Sequence, residues 1–211
     1  MSIDRAKFAK SLQQVIKATV FNCGNCQAVA VLAQECLSRL GQPSRLCAGY
    51  AGWRVHPNDP AATIVHHPDT SDIYRHTSSL TEVMEPGKSN WFDGHVWLEI
   101  DQHIVDFTLF QIPIKMARAD AADGRKTLIS WKPDYLWIPK TQLLSLKKII
   151  NGYQTGAYYQ KDLSVMRSLA KNPPSFDDDF VQSIVEAYKL ELLGHAVTIT
   201  GATTGLYEVA Q

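Results

Sequence analysis

Gly94-His95-Val96-Trp97-Leu98-Glu99-Ile100-Asp101-Gln102-His103-Ile104-Val105-Asp106-Phe107-Thr108 is the stretch on which the fold turns. His95 to Ile100 alternates with the two-residue period of a strand, Asp101-Gln102 makes a tight turn, and His103 to Thr108 returns. This predicts a β-hairpin opened by Gly94. A two-residue turn sets Ile100 opposite His103 and Trp97 opposite Asp106, which leaves Asp106 diagonal to His95. An Asp within Ile104-Val105-Asp106-Phe107 is costly in an apolar strand unless it has a partner. If that partner is one nitrogen of His95, the other nitrogen is left for a third group.

The third group is sought upstream. Residues 26–40 read as a helix with Val29, Leu32, Ala33, Cys36, Leu37 and Leu40 on one apolar face. Asn22 or Asn25 can cap its start, and Gly41 and Pro43 mark its end. Cys26 therefore falls in the first turn, among free backbone N–H groups and the positive end of the helix dipole. Both favour the thiolate, the nucleophilic form of cysteine. Cys36, on the apolar helix face, and Cys47, in a strand, are expected in the core.

The rest of the chain frames this hairpin and helix. Asp4 to Thr19 carries Phe8, Leu12, Val15 and Ile16 at helical spacing. Arg45 to Val55 reads as a strand. Residues 56–90, with four histidines and four prolines, read as a long irregular excursion that could line a site. Residues 112–140 carry turn signals and one strand, Tyr135 to Ile138. Leu143 to Ile150 reads as a short helix, and Phe176 to Leu193 as another that stops at Gly194. Ala170 to Ser175 is linker-like, and Ala196 to Gln211 reads as an edge strand or frayed end. The expected fold class is α+β, with helices gathered on one side of an antiparallel sheet. One domain is expected over 1–211, with a core at about 20–140 and a C-terminal helical extension at about 141–211.

Composition narrows the function. Apolar residues make up 45% of the 211 and charged residues 20%, as in ordinary globular chains. Twenty-one basic residues balance twenty-one acidic ones, which gives no pull toward nucleic acid or an anionic membrane. The N-terminus lacks the basic start and apolar core of a secretory signal, and no stretch approaches the ~20 apolar residues of a membrane span. A cytoplasmic protein is the expectation, and export by a dedicated secretion machine would leave no such mark. The four cysteines, Cys23, Cys26, Cys36 and Cys47, crowd into the first quarter of the chain, unlike a disulfide scaffold.

Taken together, these motifs resemble the transglutaminase-like (papain-like) cysteine superfamily over residues ~20–111. They are Cys26-x-x-x-Ala30 opening a helix, Leu40-Gly41-x-x-Ser44-Arg45-x-x-x-Gly49-Tyr50, Gly94-His95-x-Trp97-x-Glu99, and Ile104-Val105-Asp106-x-Thr108. The segment Asp106 to Gln111 looks like that of uncharacterised bacterial members. The resemblance implies Cys26 as nucleophile, His95 as base and acid, and Asp106 as its orienting group. It also implies a papain-like core with the nucleophile helix packed on an antiparallel sheet.

The expected chemistry is acyl transfer through a thioester on a peptide, protein or small-molecule amide or ester, without cofactor or metal. Water as acceptor gives a hydrolase, and an amine gives a transglutaminase or acyltransferase. Hydrolysis is favoured because water is always present and nothing in the sequence marks an amine site. Oxyanion candidates are the Cys26 backbone N–H and Asn22. Gln111 is a structural or substrate-facing residue near the triad. Trp91 and Phe92 are candidates for a substrate rim. Trp97 is a further rim candidate, a core residue or a screen for the His–Asp pair.

Rival readings stand beside this one. Cys23-Gly-Asn-Cys26 also fits a redox pair, although a helix rather than a strand precedes it. It fits half of a metal site too, for which His66-His67 is the one available second pair. A non-catalytic binding module on the same fold is the rival class. His56, His66, His67, His76, His103 and His195 are expected at the surface.

Overall fold

The computed structural model describes residues 3–18, 26–59, 61–66, 94–171, 173–195 and 197. Two N-terminal helices, α1 (Arg5–Ala18) and α2 (Cys26–Arg39), precede strands β1 (Arg45–Arg54) and β2 (Thr63–His66). The hairpin β3 (His95–Ile100) and β4 (His103–Asp106) follows. Then come α3 (Ile112–Asp123), β5 (Leu136–Pro139), α4 (Leu146–Asn151), β6 (Gly156–Lys161), α5 (Leu163–Lys171) and α6 (Asp178–Leu192). The fold is α+β. Among the described residues, six strands form one sheet in the order β2-β1-β3-β4-β5, with β6 also paired to β1, and every pairing is antiparallel.

The hairpin has the expected register, with Ile100 opposite His103 and Leu98 opposite Val105. Asp101 turns the chain with φ 51, a left-handed conformation that Asp tolerates. Helix α2 ends as its sequence signals: Gly41 has φ 75 and the Gln42 N–H returns to the Leu37 carbonyl at 2.9 Å. The α6 start is capped by Asp177, whose side chain accepts from the Asp179 N–H at 2.9 Å.

β1 is the organising strand. β6 pairs with its residues 49–54, so β3, which meets Gly49 through His95, and β2, which meets Ala51 through His66, both lie along the opposite edge. β2 and β3 thus follow one another along a single edge. β2 ends at His66 and β3 begins at His95, so the two histidines come together although 29 positions separate them.

Side chains from alternate positions face two apolar layers. One layer joins Leu98, Ile100 and Val105 to Phe8, Leu12, Val29, Leu32, Leu37, Ile184 and Tyr188 of α1, α2 and α6. On the other side of the sheet, Trp53, Trp97, Ile104, Leu136 and Tyr159 pack with Ile112 and Met116 of α3.

Four expectations need correction. Residues 112–123 are helix α3 rather than turns. Pro113 sits in its first turn, where the missing N–H costs nothing, and Ile112, Met116 and Ala119 make its buried stripe. The C-terminal segment is not a helical extension alone, because β6 joins the sheet along the free edge of β1. The linker-like stretch begins inside α5, which runs to Lys171. The helices also do not all gather on one side, since α3 covers the opposite face. The excursion at 56–90 contains β2; residues 67–93 and the tail beyond 197 lie outside the described residues.

Candidate active site

The site assembles where the start of α2 meets the start of β3. Cys26 is the first residue of α2 and packs beside Ala30, Ala48 and Val96, with Val165 and Leu169 of α5 alongside. His95 is the first residue of β3 and is 1% exposed. Asp106 ends β4 and reaches diagonally across the hairpin, with its Oδ2 2.7 Å from His95 Nε2. That bond commits Nε2 to Asp106 and leaves Nδ1 for Cys26.

The Asp106 carboxylate is held from all sides. Its Oδ1 accepts from the Thr108 N–H at 2.8 Å and the Thr108 hydroxyl at 2.6 Å. Its Oδ2 also accepts from the Tyr159 hydroxyl at 2.6 Å. Tyr159 in turn accepts from Trp53 Nε1 at 3.1 Å. A buried carboxylate with this many donors stays ionised. Burial works to raise its pKa, but the His95 charge and the hydrogen bonds from His95, Thr108 and Tyr159 bring it below the ordinary value.

The electrostatics favour a thiolate–imidazolium pair. Burial pushes the Cys26 thiol up, but the His95 charge and hydrogen bond, the Lys115 charge and the Val96 backbone N–H together lower it. Burial likewise works against a charged His95, and Asp106 and Cys26 on its two sides push it up to about 9. By contrast Cys36, buried among apolar neighbours, is pushed up to about 12, and Cys47 is raised by burial. Among the described residues, Cys26 is the cysteine with a lowered pKa.

Aromatic rings wall the imidazole. The Trp97 ring lies parallel to His95 at 6.4 Å and 12°, and the His66 ring lies parallel on centroids 6.2 Å away at 10°. Trp53 meets His95 edge-on at 4.9 Å. These rings keep water from the His95–Asp106 bond and hold the imidazole plane.

Several expectations change. Trp97 is 1% exposed and packs in the apolar layer beside His95, so it is a core residue rather than an exposed rim. His66 is not a surface residue: it packs on His95 and on Trp53 at 5.7 Å, and burial together with the Lys115 and His95 charges lowers its pKa well below the ordinary value. Gln111 is buried in the 3-10 turn after β4, and its N–H bonds the Thr108 carbonyl at 3.0 Å, which ties it to the loop that supports Asp106. Asn22, Asn25, Cys23, Trp91 and Phe92 lie outside the described residues. Among the described residues, no three His, Cys, Asp or Glu side chains are grouped to hold a metal ion, and no helix is long and apolar enough to cross a membrane.

Sequence reasoning missed Trp53, Tyr159 and Lys115. Trp53 had a signal, since it shares the strand period with Cys47 and Ala51. Tyr159 and Lys115 depended on β6 and α3, which were not read.

No family model and no curated protein matches the chain. A crystal structure described only as a genomics target is similar over 87% of this chain and 75% of its own, at 9% identity and TM-score 0.48.

Proposed function

We propose that this protein is a cysteine-dependent acyl-transfer enzyme, acting as a hydrolase of amide or ester bonds on a papain-like, transglutaminase-like core. The observation that carries the reading is the chain of contacts through His95, with Asp106 on Nε2 and the Cys26 thiol left to the other nitrogen. The lowered Cys26 pKa and the raised His95 pKa support it.

In this reading the Cys26 sulfur attacks the carbonyl carbon and the carbonyl electron pair moves onto oxygen. The Cys26 backbone N–H, in the first turn of α2, is a donor for that oxyanion. As the carbonyl re-forms, the bond to the leaving nitrogen or oxygen breaks, and the leaving atom takes the proton from His95. A thioester remains. Neutral His95 then takes a proton from water while the water oxygen attacks the thioester carbon. The C–S bond breaks and the acid leaves, which restores the thiolate and the imidazolium. Asp106 stays ionised throughout and keeps the ring oriented.

Iodoacetamide labelling across pH tests the proposal. Cys26 is expected to label far faster than a free thiol at about pH 6, and His95→Ala is expected to remove that advantage. Labelling of Cys26 no faster than a free thiol would sink the activated-nucleophile reading and leave a binding module.

A further inference from the structure

Lys115 lies on α3, two residues after Pro113, and its Nζ stands 5.4 Å from the centre of the Trp53 ring. The same ring meets His95 edge-on at 4.9 Å. One indole therefore contacts both the ammonium and the imidazole. The side chain is half-buried, yet no carboxylate of a described residue lies within ion-pair distance of it. Lys140, also half-buried, and the exposed Lys161 both pair with Glu99, at 3.0 and 2.7 Å. Among the described residues, the Trp53 ring is the partner that Lys115 has.

A second polar group beside Trp53 also lacks a partner. His66 packs edge-on against that indole at 5.7 Å, and its Nε2 is buried without a hydrogen-bond partner. A buried imidazole nitrogen with no partner is costly. The Asp106 carboxylate on the other side of His95's contacts is already engaged by His95, Thr108 and Tyr159.

We infer that Lys115 and His66, flanking Trp53 beside the Cys26–His95 pair, receive a carboxylate of the acyl donor. Lys115 supplies the charge, and the His66 ring supplies an N–H. The donors favoured are amides or esters with an anionic group close to the scissile carbonyl. This inference rests on the acyl-transfer reading and adds a substrate class to it. The charges of Lys115 and His95 also act on Cys26 and His66 together, consistent with one shared locus.

Two alkylating agents of similar size test this on the whole chain. Iodoacetate carries a carboxylate and iodoacetamide is neutral. Both react with the same thiolate, so the ratio of their rates at one pH cancels any change in thiolate population. The unmodified protein is expected to favour iodoacetate more than a free thiol does. Lys115→Met is expected to lower the iodoacetate-to-iodoacetamide ratio about tenfold, and Lys115→Arg to keep it. His66→Phe, which keeps a ring against Trp53, is expected to lower the ratio by a smaller factor. A ratio within about twofold of the unmodified value in folded Lys115→Met overturns the inference, as does loss of the ratio in Lys115→Arg. In those cases both reagents still outpace a free thiol, and the acyl-transfer reading stands. If neither reagent labels Cys26 ahead of a free thiol in the unmodified protein, both readings fall.

Discussion

Tyr159 donates its hydroxyl hydrogen to Asp106 Oδ2 at 2.6 Å, on the oxygen that also holds His95. The two residues stand 53 positions apart and meet because β6 returns to pair with β1. Tyr159 touches no reacting atom, so it acts as a positioning residue. Tyr159→Phe removes one of four hydrogen bonds to a buried carboxylate, a loss of about 1.4 kcal/mol. The expected result is about a tenfold lower rate of Cys26 alkylation at about pH 6. The Asp106 pKa rises when a donor is lost, so the acid limb of the alkylation profile moves to higher pH. A variant that only loosened packing would lower stability without moving that limb.

The titrations of Cys26 and His95 set the pH window of acylation. Above the lowered Cys26 pKa the thiolate is present, and below about 9 His95 still holds the proton for the leaving group. A bell-shaped profile is expected with its alkaline limb near 9. The His95 contribution to stability follows the same proton. Its folded pKa lies above the ordinary 6.5, so the contribution is complete below 6.5 and is lost as the pH rises through about 9. Urea unfolding at pH 6 to 10 with and without His95→Ala checks this. The difference between the two proteins should shrink across that range.

The hairpin and the nucleophile helix were legible because their signals are local. Asp101-Gln102 alone sets the register that brings Asp106 to His95, and Gly41 alone ends α2. What was missed required long-range information. β6 is buried on both faces at Tyr158 and Tyr159, so it shows no clean polar–apolar alternation. Helix α3 carries Pro113 in its first turn, and a proline reads as a turn until that position is known. His66 looked like one histidine in a polar loop. Only the alignment of β2 and β3 along one edge of β1 reveals that it stacks on His95.

Glu99 is 5% exposed on β3, and Arg45, Lys140 and Lys161 converge on its Oε2. These side chains bond one another, and among the described residues none of them bonds Cys26, His95 or Asp106, so the cluster is structural. Burial works to raise the Glu99 pKa, but hydrogen bonds from Lys161, Arg45 and Lys140 lower it to about 2. A depressed carboxylate contributes stability above its ordinary 4.5 and loses it as the pH falls through about 2. Glu99→Gln is expected to cost about 2 kcal/mol at neutral pH, since the cations are exposed enough to return to water. That penalty should shrink toward pH 2 in chemical denaturation, while Cys26 alkylation at about pH 6 stays at the unmodified rate.

Gly49 is the one residue of β1 that pairs with both His95 on one edge and Lys161 on the other. A Cβ built there would lie 2.1 Å from the Gln160 carbonyl oxygen and 2.7 Å from the Asp162 backbone nitrogen. Both obstacles are backbone, so β6 must move away. The motion would carry Tyr159, the neighbour of Gln160, off Asp106 and Trp53. Gly49→Ala is therefore expected to cost about 2 kcal/mol of stability, read as a fall in Tm. In the fraction that stays folded, it should also slow Cys26 alkylation at least as much as Tyr159→Phe does. Combining the two substitutions separates the effects. If Gly49→Ala acts on the site through β6, adding Tyr159→Phe will slow alkylation little further, because the hydroxyl is already withdrawn. Full additivity of the two would show that Gly49 reaches Cys26 by another route, through His95 on the opposite edge.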